Sequence, residues 1–249
     1  MAQIAEAEEN VELAIAHYHQ VSSGDKLVAA HSRMGHLLLE QDKVRLAQQL
    51  FEESRSKNPE QSKTLYMLEA ELLSKYQLAE VAIALLNQAL SVHPDDINLL
   101  YTRAMTSEKL NDLVGLEKDL RKILGIQPDN ATVLNALGYT LADRTDRYQE
   151  ALELISKANE LKPNDPAITD SMGWAFFRLG NYEESIRLLE KALSEYPDHE
   201  VAAHLGEVLW ITGQRDKAQQ VWLKALEQKP DSTIIKQVME RLNPEQPSQ

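Results

Sequence analysis

The sequence contains no cysteine. That removes disulfide frameworks, thiolate zinc sites and thiol nucleophiles together, while leaving the compartment open, since a secreted domain need not carry disulfides. Glycine is scarce, nine in 249 residues, and phenylalanine occurs three times. Runs of β-branched residues long enough for strands are few, and good helix formers dominate, so an all-α chain is expected. No apolar run approaches the length of a membrane span, so direct membrane insertion is not expected. Met1-Ala2-Gln3-Ile4-Ala5-Glu6 lacks the basic flank and apolar core of a signal peptide. Positive charge is short as well. A formal net charge of -13 is opposite to what a phosphate backbone demands, which argues against a nucleic-acid binder and leaves room for basic partner segments.

What the sequence does have is a period. Prolines stand at Pro59, Pro94, Pro128, Pro163, Pro197 and Pro230, separated by 35, 34, 35, 34 and 33 residues. Each follows one amphipathic stretch and precedes another, where a residue without an N–H ends one helix and permits the next. Between prolines the apolar pattern comes in two bursts of helical period divided by a polar turn, as at Arg144-Thr145-Asp146-Arg147, Gly180-Asn181-Tyr182 and Thr212-Gly213-Gln214. Each unit therefore reads as a helical hairpin.

Four hairpins carry a glycine in the middle of the first helix: Gly35, Gly138, Gly173 and Gly206. Glycine there costs about 1 kcal/mol of helix propensity, so its recurrence implies that the two arms approach too closely for a side chain. The second arm supplies matching small residues, Ala47, Ala82, Ala151 and Ala218, then Ala89, Ala158, Ala192 and Ala225. A bulky residue lies between them: Phe51, Leu86, Ile155, Leu189 or Trp222.

This large-small-aromatic-small-Pro pattern resembles the tetratricopeptide-repeat (TPR) family over nearly the whole chain. Leu205-Gly206, Ala218, Trp222, Ala225 and Pro230 follow it most closely. The resemblance implies an all-α, right-handed superhelical solenoid of antiparallel helix pairs that binds proteins or peptides. Six repeats are phased at 28–59, 60–94, 95–128, 129–163, 164–197 and 198–230. Residues 1–27 read as the remnant of an upstream repeat, mainly its second helix (Ala14, Tyr18, Val21), whose first helix would begin before Met1. Residues 231–242 read as a capping helix and 243–249 as a disordered tail. The third repeat is the most degenerate, with Ala104 where glycine is usual and Leu116 and Ile123 where small residues belong, so wider spacing of its arms is expected.

Chemistry is hard to find. There is no GxxxxGK phosphate loop, GxSxG elbow or HExxH helix. The histidine pairs His17/His19, His31/His36 and His199/His204 are spaced by two or five residues, which sends each pair to diverging helix faces. Solvated or interfacial histidines are expected, not metal ligands. The acidic pairs Glu8-Glu9, Glu52-Glu53, Asp95-Asp96 and Glu183-Glu184 are expected near helix starts or exposed turns, where carboxylates suit the helix dipole. No catalytic, cofactor or metal site is expected.

In such a solenoid the first helices line the concave side. Counting from the glycine position, residues three before and one and four after project there. The candidate partner-binding residues are therefore Tyr101, Met105, Asn135, Tyr139, Asp170, Trp174, Phe177, Glu207 and Trp210, with Arg178 at the end of its helix placed to hold a peptide backbone. Aromatics make effective anchors on a rigid surface, although Trp174 and Phe177 fit equally a role as packing between neighbouring first helices. The Lys, Asn and Arg set with which some TPR proteins grip a terminal carboxylate has no counterpart in this predicted groove, which favours an internal peptide or a folded partner.

The runs Leu134-Asn135-Ala136-Leu137-Gly138-Tyr139-Thr140-Leu141-Ala142-Asp143, with Arg147-Tyr148, and Ile168 to Arg178 are similar to a narrower group, the TPR lipoproteins of Gram-negative bacteria. That resemblance implies a periplasmic location, anchored at the outer membrane. It also implies an adaptor role, presenting cell-wall hydrolases to a carboxyl-terminal processing protease. A pilus or secretion assembly factor of the same repeat class is the alternative, and an enzyme with a site between repeats the remotest one.

Overall fold

The computed structural model describes residues 1–24 and 26–242, and the described residues contain helices and no strand. The expected tail, 243–249, lies outside them. Contacts divide the chain into two compact units, Met1–Ile126 and Gln127–Gln249.

The N-terminal unit contains α1 (Ala2–Ala7), α2 (Val11–His19), α3 (Leu27–Leu39), α4 (Val44–Lys57), α5 (Ser62–Lys75), α6 (Ala79–Val92), α7 (Ile97–Lys109) and α8 (Leu113–Ile126). Consecutive helices pair as hairpins, and each hairpin packs on the next. The turn inside most hairpins passes through one left-handed residue: Glu9, Asp42, Gln77 and Asn111 in this unit. Leu65, Leu73, Leu86, Leu99 and Leu120 are wholly enclosed and form the interior, while Tyr18, Ala30 and Met34 close it at the start.

The C-terminal unit contains α9 (Ala131–Arg144), α10 (Tyr148–Leu161), α11 (Pro166–Arg178), α12 (Tyr182–Glu195), α13 (His199–Ile211), α14 (Arg215–Gln228) and α15 (Thr233–Leu242). Three hairpins stack in order, and α15 packs against α13. Leu137, Ile155, Leu189, Leu205, Trp222 and Ile235 fill the interior.

The prolines act as the period predicts. Lys162, Tyr196 and Lys229, each preceding a proline, leave the helical region, with φ between -133 and -139 and ψ between 77 and 94. A proline ring clashes with a helical predecessor, so the second arm of each hairpin stops there. The next helix starts on an Asx cap: Asp96, Asn130, Asp165 and Asp198 accept hydrogen bonds from backbone N–H groups of the first turn.

The glycines mark close approach. A Cβ on Gly206 would fall 2.0 Å from the Trp222 indole nitrogen; on Gly138 it would fall 2.6 Å from Ile155, and on Gly173 2.8 Å from Leu189. The third repeat, which lacks the glycine, is built differently. Its arms α7 and α8 make less contact than those of α9–α10 or α11–α12 and as much as α13–α14, and Ala104, Leu116 and Ile123 are fully enclosed. The larger side chains are absorbed, and Arg103 on α7 grips both oxygens of Asp119 on α8 at 2.6 and 2.7 Å. Of the acidic pairs, Glu52-Glu53 lies in the middle of α4, not at a helix start, and Glu53 is held there by Lys57 one turn on.

Candidate functional site

In the C-terminal unit the first arms α9, α11 and α13 border a cleft of about 370 Å³, lined by Asn135, Tyr139, Asp170, Tyr196, Glu200 and His204 among others. Asn135 and Asp170 stand three residues before the hairpin glycines, on the face that the repeat turns toward its neighbours. Asp170 is buried, and its carboxylate oxygens lie 3.0 and 3.1 Å from Nδ1 of the buried His204. The other ring nitrogen, Nε2, is 3.3 Å from the Tyr139 hydroxyl. Burial works to lower the imidazole pKa, but the Asp170 carboxylate, with Asp143 and Glu207 beyond it, outweighs that and holds it above the usual histidine value. Protonated His204 donates from both nitrogens, to Asp170 and to Tyr139.

Trp174 forms the back of this arrangement. It is only 5% exposed, stacks on the His204 ring at 4.4 Å and donates from Nε1 to Asp143 at 3.3 Å. It is thus a pillar between first helices, and of its two sequence-based roles the packing one is observed. Phe177 leans half-buried against it at 4.9 Å. Arg178 is not free to hold a peptide. It donates to the Asp143 carbonyl and to the Tyr148 hydroxyl, joining α11 to the preceding hairpin.

Glu207 is likewise committed: it is buried and accepts from Arg241 of α15 at 2.6 Å, fastening the last helix. Trp210 packs 5.7 Å from Trp222 with the Arg215 guanidinium over its ring, outside the cleft. Tyr101 and Met105 sit half-buried on α7 in the N-terminal unit. The structure therefore brings Asn135, Tyr139 and Asp170 into one cleft, packs Trp174 between helices and engages Arg178 and Glu207 with neighbouring elements. His204 is the member that sequence spacing missed. The available signal was its place one repeat after Asp170, on the adjoining first helix.

Two features decide what the cleft can do. The Asn135 side-chain oxygen is buried and has no hydrogen-bond partner, an acceptor left unsatisfied. Second, the lining holds carboxylates and no Lys or Arg. The Asp170–His204–Tyr139 chain has both ring nitrogens occupied, and the nearby Ser171 hydroxyl donates to the Ala167 carbonyl. Among the described residues no group of three or more His, Asp or Glu side chains is placed to hold a metal ion.

Comparison with known proteins fits this geometry. Residues 176–242 match the tetratricopeptide repeat model. A TPR protein of Thermus thermophilus superposes with a TM-score of 0.60 at 22% identity, covering 71% of this chain and 95% of that one. The fold is that of the tetratricopeptide repeat. A Parabacteroides merdae TPR protein agrees over 88% of this chain and 93% of its own, with a TM-score of 0.64 at 15% identity. In sequence, the TPR repeat-containing protein PA4667 of Pseudomonas aeruginosa is 48% identical over 207 residues, 83% of this chain. Human protein O-mannosyl-transferase TMTC1 is 26% identical over 172 residues, 66% of the chain. The chain spans 35% and 19% of the length of these two relatives. TPR folds serve as scaffolds for protein–protein interaction, generally without catalysis, and helices α9 to α15 supply that kind of rigid surface.

Proposed function

We propose that the protein is a scaffold whose C-terminal TPR unit holds an extended segment of a partner in the cleft between α9, α11 and α13. The unpartnered Asn135 oxygen carries this reading. A buried acceptor without a donor is costly, and a rotation that turns the Asn135 amide to the cleft surface lets a backbone N–H of an extended segment satisfy it. The exposed Glu200 carboxylate favours a segment with a basic side chain, and Tyr139 and Tyr196 offer it aromatic walls.

We further propose that this partner is a processing protease or one of its cell-wall hydrolase substrates, so that the protein is an adaptor at the periplasmic face of the outer membrane. The support is the likeness of residues 134–148 and 168–178 to TPR lipoproteins of Gram-negative bacteria. Capture of partners on the full chain, beside an Asn135→Ala/Tyr139→Ala variant, tests both levels. The wild-type chain is expected to recover a protease or hydrolase, and the variant to bind it about tenfold or more weakly. Recovery of secretin or pilin components instead selects the assembly-factor reading. Equal recovery by variant and wild type removes the cleft from the function.

A further inference from the structure

A second site lies between α12, α13 and α14, and its origin can be traced residue by residue. In three hairpins a lysine of the second arm reaches back to the loop that precedes the first arm. Lys122 donates to the Pro94 carbonyl and pairs with Asp95 at 3.0 Å. Lys157 meets the Pro128 carbonyl and Asp129, each at 2.8 Å. Lys191 donates to the Asn164 side chain at 3.0 Å. The partner in every case is the proline or the residue directly after it, and the Asx cap of the first arm comes one residue later, at Asp96, Asn130 or Asp165.

The last hairpin breaks this rule. Its loop is one residue shorter, so Asp198, directly after Pro197, has itself become the helix cap and accepts from the Glu200 N–H at 2.7 Å. The corresponding lysine, Lys224, is exposed and makes no hydrogen bond or ion pair among the described residues.

The interior behind Lys224 is also hollowed. Ala202 stands where α7 and α9 carry Leu100 and Leu134, and Val221 stands where α10 and α12 carry Leu154 and Leu188. The result is a pocket of about 540 Å³ with Leu193, Ala202, Val221 and Ala225 in its wall and Lys224, Lys229 and Gln228 among its polar groups. Lys229 is oriented by His199, whose Nε2 lies 2.6 Å from its ammonium while Nδ1 faces the Ser232 hydroxyl at 3.0 Å. Two ammonium groups against the single, already engaged carboxylate of Asp198 make this pocket cationic in a chain of net charge -13.

We infer that this pocket is a second partner site, for a polypeptide segment that sets an aliphatic or aromatic side chain beside a carboxylate. The side chain fills the space vacated at Ala202 and Val221, the carboxylate takes the place that the deleted loop residue would have offered Lys224, and the Gln228 amide meets the segment's backbone. It shares only Asp198 with the α9–α11–α13 cleft, so the two sites, acidic and basic, recognise segments of opposite charge.

The test uses the full chain and two labelled peptides capped at both ends, one with a leucine flanked by glutamates and a twin with glutamines, read by fluorescence anisotropy at low salt. The glutamate peptide is expected to bind, the glutamine twin to bind about tenfold more weakly, and Lys224→Glu to lose a similar factor. Ala202→Leu, which refills the pocket, is expected to abolish binding with helicity retained. Asn135→Ala/Tyr139→Ala is expected to leave it unchanged, which separates this site from the cleft. Equal binding of the two peptides, undiminished binding by Lys224→Glu, or loss in the cleft variant overturns the proposal.

Discussion

Gly206 and Trp222 show how much a hairpin depends on one missing side chain. The indole occupies the space a Cβ would need, and the Trp222 Nε1 points toward the Ala203 carbonyl at 3.5 Å. Gly206→Leu is expected to destabilise the protein by about 3 kcal/mol or more through overpacking, read as a lowered urea midpoint by circular dichroism. His204 supplies a prediction of another kind. Its folded-state pKa is raised, so its stabilisation is complete below its ordinary value of about 6.5 and is lost as pH rises through the raised one. The protein is expected to be more stable at pH 6 than at pH 8.5, and Asp170→Asn to shrink that difference. An unchanged difference in Asp170→Asn assigns the pH dependence elsewhere.

Between elements, two Arg–carboxylate pairs do similar work with different completeness. Arg103 and Asp119 join α7 to α8 with both carboxylate oxygens satisfied. Arg55 on α4 and Glu69 on α5 are both nearly enclosed, but one Glu69 oxygen has no partner. Burial pushes the Glu69 carboxyl up to about 7 against the pull of Arg55. A carboxyl raised in the folded state binds its proton more tightly there, so the contribution of Glu69 to stability is fullest below its ordinary value of 4.5 and is lost as pH rises to about 7. Glu69→Gln is expected to flatten that decline. Arg55→Leu is expected to cost about 3 kcal/mol at pH 8, where it strands a buried charge, and clearly less at pH 5, as denaturant titration at the two pH values will show.

Over the whole chain, what was legible in the sequence was whatever the repeat imposes: the proline ladder, the glycine approach, the helical hairpins. These follow from backbone rules acting within one hairpin. Side chains that act between hairpins were read less well. Trp174, Arg178 and Glu207 looked like a binding surface because a first-helix position seen alone does not reveal the Asp143, Tyr148 or Arg241 that comes to meet it. Asn135 and Tyr139 line the cleft at the positions that counting from the glycine gives them, and His204 was missed because its partner is a full repeat away.

A stack of hairpins ordinarily behaves as a one-dimensional array, each member coupled only to its neighbours. The contact from Tyr139 on α9 to His204 on α13 skips over the middle hairpin, and Trp174 and Asp170 of that hairpin touch the same imidazole. One imidazole therefore joins three hairpins. The hairpins of α9 to α14 are expected to unfold more cooperatively than neighbour contacts alone would make them, and His204→Ala to broaden that transition.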